Sequence, residues 1–340
     1  MNILEPPRNS SGRFFHFLCA VKYFTEVPFP QGEPKIKYGH NVFFLGSCFS
    51  ENIGNWFRDL RFRCTVNPIG ITYNPISIAH QLEGVSEIKA ALPEHIVQSN
   101  EQWHTLDAHS SISAADKTAL ENRFRENQEK SASALKDAQF IFLTFGTSIG
   151  FEFLKTGKIV NNCHRLPGGA FTQVRISAET AYNTMESGIK TVLSENPQAR
   201  FLLSVSPIRH LRHGAVENAR SKARLIEVCD RLERTFSEVQ YLPVFEFVMD
   251  ELRDYRFYND RDLIHLNELG LQAVKSKVKQ SLIHPDSHEL MDRIEKWNKM
   301  KNHKIVNPES ERTQKFLEKI ESEDASINAV LKMHFNSSTP

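Results

Sequence analysis

Apolar runs of strand length recur along the chain, and stretches with helical periodicity separate them. The five clearest runs, which are apolar on both faces, cover residues 41–46, 62–67, 139–146, 200–207 and 239–247. Strands buried on both faces belong to parallel sheets whose connections are helices. The pattern therefore predicts an α/β fold with a five-stranded parallel sheet.

Helices are predicted in the connections between these runs. In residues 50–60 the apolar positions recur three and four apart, which gives the segment one apolar face, and Ser50 stands where an N-cap is expected. The same periodicity predicts further helices over residues 178–195, 218–237 and 267–283. Strands and helices thus alternate along most of the chain.

Two segments do not fit a simple alternation. Residues 75–137 are far longer than an ordinary crossover, so they predict an insertion, helical at residues 115–135, that caps one edge of the sheet. After Pro285 the chain becomes highly charged with spaced apolar residues, which predicts amphipathic helices that pack on the main domain or join two copies into a homo-oligomer. The expected division is an α/β domain over residues 1–284 and a charged helical extension over residues 285–340.

The amino-acid composition and the net charge exclude several classes of protein. The chain has 340 residues, of which 40% are hydrophobic, so neither disorder nor a small stapled scaffold is expected. A net charge of +1 gives no field that would hold a nucleic acid. The 5 cysteines are scattered without a CxxC pair, which predicts reduced thiols, no metal site and no cofactor.

The chain shows no sequence signal for a membrane span. No apolar run approaches the roughly 20 residues that a spanning helix needs. Residues 14–21 form only a weak signal-peptide core, because His16 interrupts it and Arg8 stands well before it. We expect a cytoplasmic location, with the periplasm as the alternative.

A turn suited to a nucleophile follows the first predicted strand. Gly46-Ser47-Cys48-Phe49 leads from that strand into a helix, so Ser47 is placed at the carboxyl edge of the sheet, where α/β proteins bind ligands. The helix start would stabilise a developing oxyanion there. Cys48 is the competing nucleophile, since a thiolate is intrinsically more reactive, but adjacent side chains point in different directions. Ser47 is the preferred nucleophile, and an ordinary turn is the alternative interpretation.

A matching base follows the fifth predicted strand. In Asp262-Leu263-Ile264-His265 the polar ends are three residues apart, so on a helical turn the Asp262 carboxylate can accept a hydrogen bond from His265. His265 would then remove the proton of the nucleophile. A surface helix start capped by Asp262 is the alternative. The two motifs together indicate a catalytic triad.

These motifs resemble a known family. The chain is similar to the GSCFA-domain family, a group resembling the SGNH/GDSL hydrolase superfamily, over about residues 41–283. The resemblance is carried by GSCF, SPIRH and DLIH after the first, fourth and fifth strands, and by the segments NPIGITYNPISIA, LTFGTS, NNCHRLP and NARSKARL.

The resemblance implies a three-layer α/β/α flavodoxin-like fold and ester chemistry at Ser47, with His265 as base and Asp262 as the orienting carboxylate. It also implies that the amides of Ser47 and Gly70 stabilise the oxyanion. The superfamily's third donor is an asparagine, and the corresponding turn here ends in Ser148, whose hydroxyl offers one donor from a shorter arm. Asn162 is the alternative source of that amide.

Other polar residues are candidates for substrate binding. His164 is expected in the cleft wall beside Asn162, and Arg209 and Arg212 follow the fourth strand, where they could bind a phosphate or carboxylate. Trp103, in the insertion, could stack on a sugar ring. The alternatives are a solvated basic loop for the arginines and core packing for the tryptophan.

The sequence therefore predicts a serine esterase or deacylase that cleaves a small-molecule or glycan ester, for example an O-acyl group on a carbohydrate. An acyltransferase would use the same residues, with an acceptor hydroxyl in place of water. A glycan-binding or scaffold protein that keeps the fold without the chemistry is the third alternative, and the missing third-strand asparagine favours it.

Overall fold

The computed structural model describes residues 25–305 and 307–336. The weak signal-like core at residues 14–21 and Cys19 lie outside the described residues. The strands are β1 (Asn41–Gly46), β2 (Arg63–Val66), β3 (Ile96–Ser99), β4 (Gln102–Thr105), β5 (Ser113–Ala114), β6 (Phe140–Phe145), β7 (Ile149–Phe153), β8 (Lys158–Val160), β9 (Phe171–Arg175), β10 (Arg200–Val205) and β11 (Val239–Tyr241). The α-helices are α1 (Cys48–Asp59), α2 (Pro75–Glu83), α3 (Lys117–Asp137), α4 (Ala178–Glu195), α5 (Gly214–Thr235), α6 (Val244–Glu246), α7 (Glu268–Leu282), α8 (His288–Lys301) and α9 (Glu311–Asn336).

The five predicted strands form one parallel sheet in the order β11-β10-β6-β1-β2. In chain order this is the flavodoxin-like arrangement 2-1-3-4-5, which confirms the predicted fold class. Successive strands are added to one side of β1 first and then to the other side, so the strand order reverses between β1 and β6. Ligands bind at such a switch point, outside the carboxyl ends of the strands.

The two faces of the sheet bury separate apolar layers. Along β1, Val42 and Phe44 face one layer, and Phe43 and Leu45 face the other, as the two-residue period of a strand requires. The first layer is supplied by α1 and α7 to α9, and the second by α2 to α5. The molecule is therefore a three-layer α/β/α structure.

The fifth strand is shorter than the sequence predicts. It ends at Tyr241, and Leu242 adds one further amide bond to Leu203 before Pro243. Proline has no N–H for the ladder, so the chain leaves the sheet there and continues as α6 and a π-helical turn over Phe247–Glu251.

The predicted helix over residues 178–195 matches α4 in both bounds.

The insertion over residues 75–137 holds α2, a small antiparallel sheet and α3. The small sheet has the strand order β3-β4-β5, and a second antiparallel sheet, β8-β7-β9, follows β6. Helix α2 packs in the same apolar layer as α4, so part of the insertion belongs to the central three layers. The end of α3 lies at the amino end of β1, where Asn41 Nδ2 donates to the Asp137 oxygen at 3.2 Å.

Helices α8 and α9 pack on the main domain. Ile294 and Ile327 are fully buried in the layer that contains α1. The indole of Trp297 donates to the Ile320 oxygen at 3.0 Å, and Arg61, after α1, pairs with Asp324. Of the described helices, none has both the length and the apolar character to cross a bilayer.

Candidate functional site

The site begins at the sharp turn between β1 and α1. Gly46 has a φ of 141°, and a Cβ on it would lie 2.2 Å from the Thr144 oxygen, so the turn requires glycine. The Ser47 amide donates to the same oxygen at 3.1 Å, and the Gly46 amide donates to Asn67 Oδ1 at 2.9 Å. These bonds tie the turn to the ends of β2 and β6, and α1 begins at Cys48 rather than at the predicted Ser50.

The turn directs the side chains of Ser47 and Cys48 differently. Ser47 is 1% exposed, and its Oγ has no hydrogen-bond partner among the described residues, so it makes no hydrogen bond to His265. Cys48 is half-buried, and its Sγ lies with one ring nitrogen each of His210 and His265, all within 4.8 Å of one another. The Cys48 thiol therefore lies near the His265 imidazole, and the Ser47 hydroxyl that the sequence analysis preferred is not hydrogen-bonded to that ring.

Asp262 and His265 pair as predicted, but in a loop rather than on a helical turn. Asp262 Oδ2 lies 2.8 Å from His265 Nδ1, and its Oδ1 accepts from the amides of Ile264 and His265 at 2.8 and 3.0 Å. Leu263 has a φ of 53°, which interrupts any helix. Because Nδ1 is bonded to Asp262, Nε2 remains free to face the sulfur.

Asp262 holds a negative charge over the whole physiological range. The amides of His265 and Ile264, followed by the His265 side chain, lower the pKa of the Asp262 carboxyl to about 2. A permanent carboxylate at Nδ1 fixes the tautomer of His265, with the ring proton on Nδ1. His265 is thus arranged to accept a proton at Nε2.

The Cys48 thiol is protonated at neutral pH. Burial raises its pKa, and this outweighs the lowering by the Phe49 amide, by the charge of Lys222 and by the Cys48 amide. The amides at the start of α1 still lie close to the sulfur and favour a negative charge on it. A base is therefore needed to form the thiolate. Of the two imidazoles near the sulfur, His210 and His265, His265 is the one paired with a carboxylate.

Lys222, on α5, is a buried cation that the sequence analysis did not single out. It is 2% exposed, and its Nζ donates to the Gly146 and Ser206 oxygens, both at 2.7 Å. These carbonyls follow β6 and β10 at the edge of the sheet that carries Cys48. Burial lowers the pKa of Lys222 to about 7, and Cys48 acts in the opposite direction. The only signal in the sequence was its place in the family-like segment NARSKARL.

Tyr73 was missed in the same way. Its carbonyl oxygen accepts from the amides of Gly146 and Thr147, at 2.8 and 3.1 Å, so it ties the loop after β2 to the end of β6. Its ring meets that of His210 edge-on at 6.2 Å. Burial, with the nearby Cys48, raises the pKa of its phenol to about 12, so the phenol stays protonated.

The two amides predicted to stabilise an oxyanion already have partners. The Ser47 amide is bonded to the Thr144 oxygen at 3.1 Å, and the Gly70 amide to the Asn67 oxygen at 2.7 Å. Each bond is part of the turn geometry and leaves no free donor. The amides of Cys48 and Phe49, close to the sulfur, are better placed for the role.

The side-chain alternatives for the third donor are also engaged. Ser148 is fully buried, and both its amide and its Oγ donate to Ser221 Oγ, at 2.8 and 3.2 Å. Asn162 donates from Nδ2 to Ser110 Oγ at 3.4 Å, and its Oδ1 accepts from the His164 amide at 2.9 Å. Both residues therefore hold neighbouring loops in this arrangement.

Trp103 lies in the insertion, and His164, which follows β8, packs against it. His164 is buried, its Nε2 lies 2.7 Å from the Thr105 oxygen, and its ring stacks on His104 at 4.5 Å. Burial lowers the pKa of His164 to about 4. The half-buried Trp103 packs in the apolar cluster that contains Phe124. For Trp103 this is the core-packing alternative, and neither ring stands free in the cleft.

Arg209 and Arg212 are exposed in the loop after β10. Between them in sequence is His210, whose ring centroid lies 5.5 Å from that of His265. Burial and the neighbouring His265 lower the pKa of His210, so its imidazole is neutral at pH 7. This loop therefore brings a second imidazole next to His265, and it carries two exposed cations close to His210 in sequence.

A separate cavity of about 320 Å³ lies behind the loop after β2, between α2 and α3. It contains the hydrogen-bonded pair of His95 and Asp107, whose Nδ1 and Oδ1 are 2.8 Å apart. None of the predicted site residues lines it. It is distinct from the site at the sheet edge.

The fold and the site together define an α/β protein with a polar constellation at the switch point of a flavodoxin-like sheet. The chain belongs to the GSCFA family, whose model matches residues 41–278. That match runs from β1 into α7 and includes Cys48, Lys222, Asp262 and His265. No curated protein matches the chain.

Proposed function

We propose that the protein is an ester-cleaving enzyme with Cys48 as nucleophile, His265 as general base and Asp262 as the residue that orients His265. The observation that carries the proposal is the convergence of the Cys48 sulfur and a His265 ring nitrogen within 4.8 Å, with Asp262 on Nδ1 of the same ring at 2.8 Å. A separation somewhat longer than a hydrogen bond is common before substrate binds.

The proposed reaction has two halves. His265 Nε2 takes the thiol proton, the Cys48 sulfur attacks the ester carbonyl carbon, and the resulting tetrahedral adduct collapses to a thioester as His265 protonates the leaving alcohol. Water then gives a proton to His265 and attacks the thioester, which releases the acid and regenerates the thiol. In an acyltransferase an acceptor hydroxyl would replace water in the second half.

The start of α1 and Lys222 supply the electrostatic stabilisation in this proposal. The Cys48 and Phe49 amides lie at the positive end of the helix, where they favour both a thiolate and a developing oxyanion. The Lys222 charge acts on the sulfur from the loops after β6 and β10. Removing one oxyanion donor typically costs about 10²–10³ in rate, so the loss of one of these groups should slow the reaction measurably.

The substrate we propose is an ester, with an O-acyl carbohydrate as the class predicted from the sequence. Arg209 and Arg212, exposed beside His210, favour a substrate or acceptor that carries a carboxylate or phosphate. Ser47 remains the second candidate for the nucleophile, because its Oγ is buried without a hydrogen-bond partner.

Turnover of p-nitrophenyl acetate, with mass spectrometry of the acetylated protein, tests the assignment. We expect Cys48→Ala to lose the acetyl adduct and to lower turnover by at least about 10²–10⁴-fold, the range that general acid–base catalysis contributes by itself. His265→Ala should show a similar loss. Cys163→Ala, which removes another half-buried thiol, is the matched control and should behave as the wild type.

The outcomes separate the alternatives. An adduct on Ser47 that survives in Cys48→Ala and disappears in Ser47→Ala would assign a serine esterase. A folded wild-type protein without any adduct, towards this ester or towards a fluorophosphonate probe, would favour the non-catalytic alternative.

A further inference from the structure

Three potential metal ligands converge where the proposed chemistry takes place. The Cys48 Sγ and one ring nitrogen each of His210 and His265 lie within 4.8 Å of one another. They come from three separate segments: the start of α1, the loop after β10 and the loop after β11. The parallel sheet brings the three segments to one edge, so the convergence is a product of the fold.

The ligand set fits a thiophilic divalent cation. One thiolate and two imidazoles are typical zinc ligands, and bond lengths of about 2.0–2.3 Å imply ligand-to-ligand distances of roughly 3.3–3.8 Å in a tetrahedron. Side-chain rotations that move the ligand atoms by about 1 Å would therefore bring the three atoms to these distances. Three protein ligands leave a fourth position for water, as in zinc sites that are open to solvent.

The surroundings of the imidazoles support this arrangement. Asp262 accepts from His265 Nδ1 at 2.8 Å, which leaves the Nε2 lone pair for a metal, and such a carboxylate partner usually strengthens a histidine ligand. The ring of His210 is held edge-on by Tyr73 at 6.2 Å and by His265 at 5.5 Å. His210 is exposed, so a cation can enter from solvent.

Lys222 limits the affinity of this site. Its ammonium lies near enough to Cys48 to influence the sulfur and would repel a second cation there. We therefore expect exchangeable binding rather than a closed structural centre.

We propose that Cys48, His210 and His265 form a binding site for Zn²⁺ or a similar thiophilic divalent cation, which masks the nucleophile when bound. In the binding step the thiol gives up its proton to solvent, the sulfur and both imidazoles donate electron pairs to the cation, and water completes the coordination. No group is oxidised or reduced. The masking rests on the function proposed above, whereas cation binding itself does not.

Titration of the reduced full-length chain with Co²⁺ tests the site directly. We expect a near-ultraviolet thiolate-to-cobalt charge-transfer band that saturates at one cation per chain. Cys48→Ser should abolish the band, His210→Ala should weaken binding by at least about 100-fold, and Asp262→Asn by about 10–100-fold, as expected for the partner of a ligand. The matched controls Cys163→Ser and His213→Ala should titrate as the wild type.

Alkylation provides the second readout. Zn²⁺ should protect Cys48 of the wild type from iodoacetamide, and this protection should disappear in His210→Ala, whose exposed side chain can be removed without disturbing the core. Absence of the charge-transfer band, or a band and protection that survive in His210→Ala, would overturn the proposal. Neither result depends on ester turnover, so failure of the metal site is distinguishable from failure of the enzyme assignment.

Discussion

Lys222 is the residue of the site with the largest electrostatic cost. Its amine is 2% exposed and lies on two carbonyl oxygens, without a carboxylate partner among the described residues. Burial of an ammonium without a counter-ion costs several kcal/mol, so a neutral residue of similar length would be more stable there. In its charged form Lys222 lowers the pKa of the nearby Cys48 thiol and so favours a thiolate there.

The burial of Lys222 predicts that the difference in stability between the wild type and Lys222→Met depends on pH. The pKa of Lys222 falls from 10.5 to about 7 on folding, so the folded protein carries the full charge penalty below pH 7 and loses it gradually as the pH rises from 7 to 10.5. Relative to Lys222→Met, the wild type should therefore gain stability between pH 7 and 9, with a slope of up to about 1.4 kcal/mol per pH unit. Urea unfolding of both proteins across this range measures the difference.

Lys190→Met is the control for that measurement, because the Lys190 side chain is 61% exposed and pairs with Glu186 on the same helix. The difference between wild type and this variant should not change with pH. A constant difference between wild type and Lys222→Met would show that Lys222 keeps an ordinary pKa in the folded protein.

The pairing of Asp262 with His265 could be predicted at the residue level, whereas the directions of the Ser47 and Cys48 side chains could not. A spacing of three residues brings a carboxylate to an imidazole in a tight loop as well as on a helical turn, so that pairing did not depend on the exact local structure. The direction of two adjacent side chains depends on where α1 begins, and it begins at Cys48. Sequence periodicity does not locate a helix start to one residue.

At the scale of elements, the turn between β1 and α1 positions the reactive groups. Its amides bond to the Thr144 oxygen and to Asn67 Oδ1, at 3.1 and 2.9 Å, so it is fixed to both neighbouring strands. The positions of the sheet strands therefore fix the positions of the first residues of α1. A small displacement there would move Cys48 away from His265.

Gly46→Ala should destabilise the protein strongly. The new Cβ would lie 2.2 Å from the Thr144 oxygen, at a φ of 141°, so the ends of β1 and β6 must separate. We expect a loss of at least about 3 kcal/mol in the free energy of unfolding, measured with urea, since this combines overpacking with backbone strain. Gly168→Ala is the matched control, because a Cβ there meets no atom within 4 Å. Equal stabilities of the two variants would contradict the account of this turn.

At the scale of the whole molecule, α8 and α9 complete one apolar layer of the domain. Ile327 and Leu331 of α9 are buried with Trp297 of α8 in the layer that contains α1. The helices therefore contribute to the stability of the domain, as the packing alternative predicted. Association of two copies through them stays a prediction.

Ile327→Ala tests this contribution. Ile327 is fully buried, so its truncation should leave a cavity and lower the free energy of unfolding by about 2–5 kcal/mol. Met333→Ala, on the same helix, should change stability by less than about 0.5 kcal/mol, because Met333 is 72% exposed. If thermal and urea unfolding of Ile327→Ala coincide with those of the wild type, α9 does not share the cooperative unit of the domain.

The sequence by itself determined the layers and the sheet. Strands that are apolar on both faces are buried only when helices cover both faces of the sheet. The alternation of apolar runs and helices was therefore enough to predict the three-layer fold. It also placed both functional motifs at one edge, since the carboxyl ends of parallel strands meet there.

Only the tertiary structure decided which groups meet at that edge and which are already bonded. The amides of Ser47 and Gly70 are used by the turns that hold them, and Lys222 and His210 reach the site from α5 and a loop after β10. These outcomes depend on side-chain direction and on hydrogen bonds between distant segments. The periodicity of a sequence records which residues are buried, but it does not record which polar atoms are left without a partner.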